Sequence, residues 1–200
     1  MLAVAVLTAG VFIWTSSHYR QANTSPDTYV DAGGHLHVLG IVLGESSLRQ
    51  AEVILQSKAE VALYIYPQGH AKAGLKLEAF FPSIADHTKV ILLLDVDRVR
   101  LLAMEKHAAR PHQAQNGVLR MDIGPEDLAD VYAATVGELT MIPSLDVTAG
   151  NLQARFGAPD RVLKLGDGQM EYRYAAIGLR AILGRETLPT LNFSNPPMPR

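Results

Sequence analysis

The sequence predicts an α+β protein, with two helix-plus-antiparallel-meander modules behind an N-terminal membrane segment. Three observations carry this reading. Runs rich in β-branched and aromatic residues, Glu60–Tyr66, Leu75–Phe81 and Lys89–Val96, follow a single amphipathic helical pattern and are joined by the turn-forming stretches Pro67–His70 and Pro82–Asp86. A similar order of elements returns between residues 144 and 193. Before both lies Leu2–Trp14, LAVAVLTAGVFIW, an unbroken uncharged run.

As a helix the run Leu2–Trp14 is about 20 Å long, short of a hydrocarbon core of about 30 Å. Continuing through Tyr19 brings it to about 27 Å before the first cation, Arg20, with Trp14 and Tyr19 placed as interfacial aromatics. Residues 1–19 are therefore expected to be a signal anchor or a signal peptide, and both readings lack a basic flank before the apolar run. A polar linker is expected over 20–31. The reading places the rest of the chain at the cell membrane facing the periplasm, or free in the periplasm.

The first module is assigned to residues 32–97. His35–Leu43 is apolar and β-rich, Gly44–Ser47 supplies a turn and an N-cap, and Leu48, Ala51, Val53, Ile54 and Leu55 give a helical stripe ending near Lys58. The three meander strands follow. Residues 98–143 read as a connecting loop and helix. A short helix runs over Arg98–Lys106, a surface loop over Ala108–Gly117, a strand over Val118–Ile123, a helix from Pro125 to about Gly137, and an extended stretch over Glu138–Pro143. In the second module, 144–193, a helix ends at Gly157 before Pro159, and strands Arg161–Leu165, Met170–Tyr174, Gly178–Leu183 and Thr190–Phe193 follow. Aligning Ser47 with Thr148 matches Leu48, Ala51 and Leu55 to Ala149, Leu152 and Phe156. A gap then matches Gly74–Leu75 to Gly178–Leu179, the pattern of an internal duplication. The proline-rich 194–200 is expected to be a flexible tail.

Composition removes several function classes. A formal net charge of -2 with no Lys/Arg-rich tract argues against a nucleic-acid partner. Zero cysteines removes disulfides, thiolate metal sites, a cysteine nucleophile and a lipid-modified cysteine. No cofactor is expected.

The segment Leu145–Leu183, with LQARFGAPDRV, an Asp-Gly turn and EYRYAAIGL, resembles the small envelope modules of the BamE (SmpA/OmlA) family and the related β-lactamase-inhibitor-like fold. Phe156, Gly157, Pro159, Tyr172 and Tyr174 stand at matching places, while the lipidated cysteine of those lipoproteins is missing. The resemblance implies outer-membrane protein assembly or binding of another protein, without catalysis.

Candidate chemistry is sparse. His35 and His37 are two residues apart, so in a strand both imidazoles share a face and could hold a divalent metal with a third ligand from elsewhere. Ser46 and Ser47 sit on a strand-to-helix turn but lack the second glycine of a nucleophile elbow, and capping accounts for them. Asp95 and Asp97 close a strand and suit a helix cap. Tyr64, Tyr66, Tyr172 and Tyr174 are the candidates for an aromatic docking surface on a sheet face left bare by the helices. The expected function is that of a non-enzymatic envelope protein binding another envelope protein through that face. Its alternatives are a metal- or small-ligand-binding periplasmic protein using His35 and His37, and a hydrolase.

Overall fold

Antiparallel pairing organises the structure, a computed structural model that describes residues 28–70, 72–84, 87–114 and 117–197. Among these residues it is a mixed α+β fold of four helices and thirteen strands. The predicted membrane segment 1–19 lies outside the described residues, and no helix within them is long and apolar enough to cross a membrane.

The helices start where side chains can take up free backbone N–H groups. For α1 (Leu48–Leu55), Ser47 accepts the Gln50 N–H while the Gln50 side chain accepts the Ser47 N–H; α4 (Ala149–Phe156) repeats this box with Thr148 and Asn151. Helix α1 stops short of Lys58 because Gln56 turns left-handed, at φ 49°. Asp97 caps α2 (Arg98–His107). The short α3 (Leu128–Ala133) follows a 3-10 turn at Pro125–Asp127.

Here the structure departs from the sequence reading. The helix expected to reach Gly137 ends at Ala133, and Thr135–Ile142 forms β9, a strand in the middle of the main sheet. The β-branched pair Thr135–Val136 favours extended backbone, and Val136 is fixed there by bonds to Ser46 and Gly44. Residues 98–143 are thus not merely a connector.

The remaining strands are β1 (Thr28–Val30), β2 (Leu36–Val38), β3 (Ile41–Val42), β4 (Glu60–Tyr66), β5 (Gly74–Phe81), β6 (Lys89–Asp95), β7 (His112–Gln113), β8 (Leu119–Asp122), β10 (Arg161–Lys164), β11 (Met170–Tyr174), β12 (Leu179–Leu183) and β13 (Thr190–Ser194). Strands β1–β3 make a small sheet, so the expected linker 20–31 already contains a strand. The other ten form one sheet in the order β10-β11-β12-β13-β9-β6-β5-β4-β8-β7. Two meanders, β4–β6 and β10–β13, run inward from opposite sides and meet at β9. In element order Gly74 opens the second strand after α1, whereas Leu179 opens the third after α4, so the helix alignment of the proposed duplication keeps step and its strand alignment does not.

One face of the large sheet is covered. Leu77, Ala79 and Phe81 of β5, Val90, Leu92 and Leu94 of β6, Leu139 of β9 and Phe193 of β13 are buried beneath Leu36, Ile41 and Leu43 of the small sheet and Leu48, Met104, Val131 and Leu152 of the helices. The expected tail begins pinned. The Asn195 side chain accepts the Leu36 N–H at 2.8 Å and donates to the Leu43 carbonyl at 2.9 Å, tying the end of β13 to the small sheet.

Candidate binding face

Strand alternation sends every second side chain to the other face of the ten-stranded sheet. There the register places Ile91 beside Phe80 and Thr140, and Leu93 beside Glu78 and Glu138. Phe80, Ile91 and Leu93 are half-buried and stand apart from the core cluster. They form an apolar stripe on the face opposite the core cluster, in which the buried helix residues Leu48, Met104, Val131 and Leu152 lie.

Two buried carboxylates interrupt this face, one in the second strand of each meander. Glu78, 4% exposed, accepts the Tyr66 hydroxyl on both oxygens at 3.0 Å and the Lys72 ammonium at 2.8 Å. The His70 ring stacks on Tyr66 at 4.6 Å, and its Nδ1 accepts the Lys72 N–H. Burial, followed by the charge of Glu78, pushes the Tyr66 hydroxyl far up, so it stays a donor. Glu171, 2% exposed, accepts from Arg173 on one oxygen and from Arg180 on the other, the latter at 2.9 Å. Burial works to raise its pKa, but the two arginines outweigh burial and hold the carboxyl below its usual range.

The four tyrosines singled out in the sequence divide between the faces. Tyr64 and Tyr66 lie on the open face with ring centroids 6.2 Å apart. Tyr172 and Tyr174 pair across strands with the core residues Ala181 and Leu179 and so point to the covered face. Tyr174 is 4% exposed and packs against Phe156 at 5.7 Å; burial raises its hydroxyl pKa. It is a core residue and offers no docking surface, and Tyr172 packs against the same core.

His35 and His37 are brought together, around Asp31. Asp31 accepts the backbone N–H groups of Gly33 and His35 on Oδ1, and its Oδ2 lies 3.0 Å from His37 Nε2. The bond from His37, then that from the His35 backbone, lowers the Asp31 pKa. His35 Nδ1 is 3.2 Å from Glu45 Oε1, and Tyr29 stacks on His37 at 4.3 Å. Each imidazole has a carboxylate partner, and among the described residues no group of three or more His, Cys, Asp or Glu side chains is arranged to hold a metal ion.

The serines of the strand-to-helix turn are engaged in structure: Ser47 caps α1, and Ser46 Oγ accepts the Val42 N–H at 2.9 Å. A buried Asp127 with His107 Nδ1 at 2.9 Å and Arg100 at 3.5 Å joins α2 to the turn before α3. A cavity of about 490 Å³ lies between α2 and the start of β5, bounded by Gln68, Leu75, Arg98 and Leu101. Another, about 210 Å³, lies under α4, bounded by Met141, Leu145, Leu152 and Phe156. Neither is lined by the His107–Asp127 pair or by His35 and His37.

Sequence reasoning noticed Phe80 among the aromatic strand residues but missed Ile91 and Leu93. The signal was the run VILLL in β6, nearly continuous rather than alternating, which marks a strand apolar on both faces. It also missed the arginines of β10–β12, which are neither consecutive in sequence nor at a motif spacing.

No family model matches the chain, and no curated protein matches it. Among solved structures it is similar to the crystal structure of a DUF4309 family protein, YjgB, from Bacillus subtilis, with 11% identity and a TM-score of 0.42 over 82% of this chain and 88% of that one. A likeness at that level carries no argument about function.

Proposed function

We propose that this is a non-enzymatic envelope protein that binds another protein through the open face of its ten-stranded sheet, with residues 2–19 holding it at the membrane or directing its export. The observation that supports this is the stripe Phe80–Ile91–Leu93, three large apolar side chains adjacent on one face and separate from the core. Desolvating such a stripe is favourable by about 25 cal/mol per Å² of apolar surface, and a central apolar patch within a polar rim is the usual anatomy of a protein interface. Tyr64 and Tyr66 extend the patch toward β4. A kinship with the BamE-like modules, suggested by the FG-x-P helix stop and tyrosine strand, fits the same role.

The N-terminal run supports the location. The described fold starts at Thr28, and the segment 20–27 can reach at most about 28 Å at 3.5 Å per residue, so a chain anchored through Tyr19 would keep its folded part close to the bilayer.

The test is a photo-crosslinking residue placed at Ile91, at Tyr64 and, as a control, at the 74%-exposed Val53 on α1, in intact membranes. A discrete adduct from Ile91 and Tyr64 that Val53 does not give is expected. Absence of adducts from the sheet face, or equal adducts from Val53, rejects the reading. Fractionation of the same chain with and without residues 1–24 tests the membrane role: the full chain should sediment with membranes or have its N-terminus removed on export, and the shortened chain should do neither.

A further inference from the structure

We propose that the β10–β12 end of this face reads carboxylates, so that the partner presents an acidic segment beside its apolar anchors. The inference rests on the sheet-face reading and names the chemistry of its ligand. Arg161, Arg173 and Arg180 are direct cross-strand neighbours on three consecutive strands. Residues so paired have Cβ atoms about 5 Å apart, and like charges placed directly opposite destabilise a sheet. One carboxylate, Glu171, lies among them, and its two oxygens are taken by Arg173 and Arg180. Arg161 has no acidic partner among the described residues.

Three positive charges against one negative leave an excess that a bound anion would offset. The guanidiniums of Arg173 and Arg180 are steadied from below by a buried acceptor yet keep 42% and 52% of their side-chain surface exposed. Each carries five donors in a planar fork suited to carboxylates, and Glu171 uses only part of them.

The cross-strand row does not stop at Arg180. It runs on through Asn192 and Thr140, joined by a 3.0 Å hydrogen bond, to Ile91 and Phe80. Cationic and apolar halves are therefore continuous on one row, which favours a polypeptide bearing both kinds of side chain over a phosphate polymer or a lipid headgroup.

The experiment measures binding of fluorescein-labelled deca-glutamate to the purified full chain by anisotropy. Deca-glutamine and phosphatidylglycerol vesicles serve as comparison probes. Saturable binding of deca-glutamate that weakens with added salt is expected, with none of deca-glutamine. Arg161→Glu should weaken it at least about tenfold with a thermal melt no lower than the parent's, because it replaces a like-charge pair with Arg173 by an opposite-charge one, while Arg110→Glu, away from this row, should leave binding unchanged. Arg180→Lys keeps the charge but loses the fork and should weaken binding less than Arg161→Glu. Failure of the unaltered chain to bind, equal losses in the Arg110 and Arg161 variants, or binding to the vesicles alone would overturn the inference. A crosslinked partner at Ile91 with no deca-glutamate binding would reject the carboxylate reading and leave the sheet-face reading standing.

Discussion

Glu171 is the clearest case of a single residue whose surroundings set both its charge and its contribution to stability. Its folded carboxyl binds a proton less readily than the unfolded one, because Arg180 and Arg173 donate to its charged form. A depressed carboxyl pKa stabilises the fold fully above the unfolded value, near 4.5, and that stabilisation is lost as pH falls below it toward the folded value. Asp31 has the same sign for the same kind of reason, with His37 as its main donor. Glu171→Gln should therefore lower stability at pH 7 by about 2 kcal/mol, the scale of hydrogen bonds to a charged group. Urea unfolding at pH 7 and pH 3 checks this: the gap between the variant and the parent should narrow at the lower pH, and a gap independent of pH would show that the carboxylate charge is not the cause.

At the scale of elements, helix ends follow local chemistry and strand ends follow neighbours. Ser47 and Thr148 start α1 and α4 with the same reciprocal pair of bonds, each closed within four residues. The turn into β12 depends instead on a contact distant along the chain. Gly178 is left-handed, at φ 53°, and a Cβ there would run into the Ser194 carbonyl. Its own carbonyl accepts the Ser194 N–H at 3.1 Å, so backbone and not a movable side chain lies in the way. Gly178→Ala should destabilise by about 3 kcal/mol, at the severe end for single substitutions, as read from the urea midpoint. A shift under about 0.5 kcal/mol would mean that the β11–β12 turn relaxes freely.

For the molecule as a whole, the decisive element is β9. It pairs with β6 over Thr135–Ile142 and with β13 over Glu138–Met141, and so fuses two meanders into one sheet. Two modules reading as separate units in sequence share a core through Leu139, Leu92 and Phe193. Unfolding should accordingly be a single transition, coincident by far-UV circular dichroism and by amide exchange in both meanders. Two resolved transitions would show that the modules fold independently. A chain ending at residue 143 should aggregate, since removing β13 leaves β9 as a long unpaired apolar edge.

How much of this was legible varies with the range of the interactions involved. The strands of both meanders, the caps of α1 and α2 and the helix stop at Gly157 stand in the sequence because alternation, capping and turn chemistry act within a few residues. The place of β9 does not, for its pairing joins residues forty or more positions apart and overrides a plausible helical reading of Thr135–Gly137. The tyrosines show the same limit. Alternation told that Tyr64 and Tyr66 share a face, as do Tyr172 and Tyr174, but not which face the helices cover. By itself the sequence determined the α+β class, most of the elements and the charge that argues against nucleic acid. Only the tertiary structure decided that Tyr174 is core, that Phe80, Ile91 and Leu93 lie on the open face, and that three arginines line up beside them. The physical reason is that a strand's side-chain period offers two faces of equal standing, and the choice between them is made by elements that arrive from elsewhere in the chain.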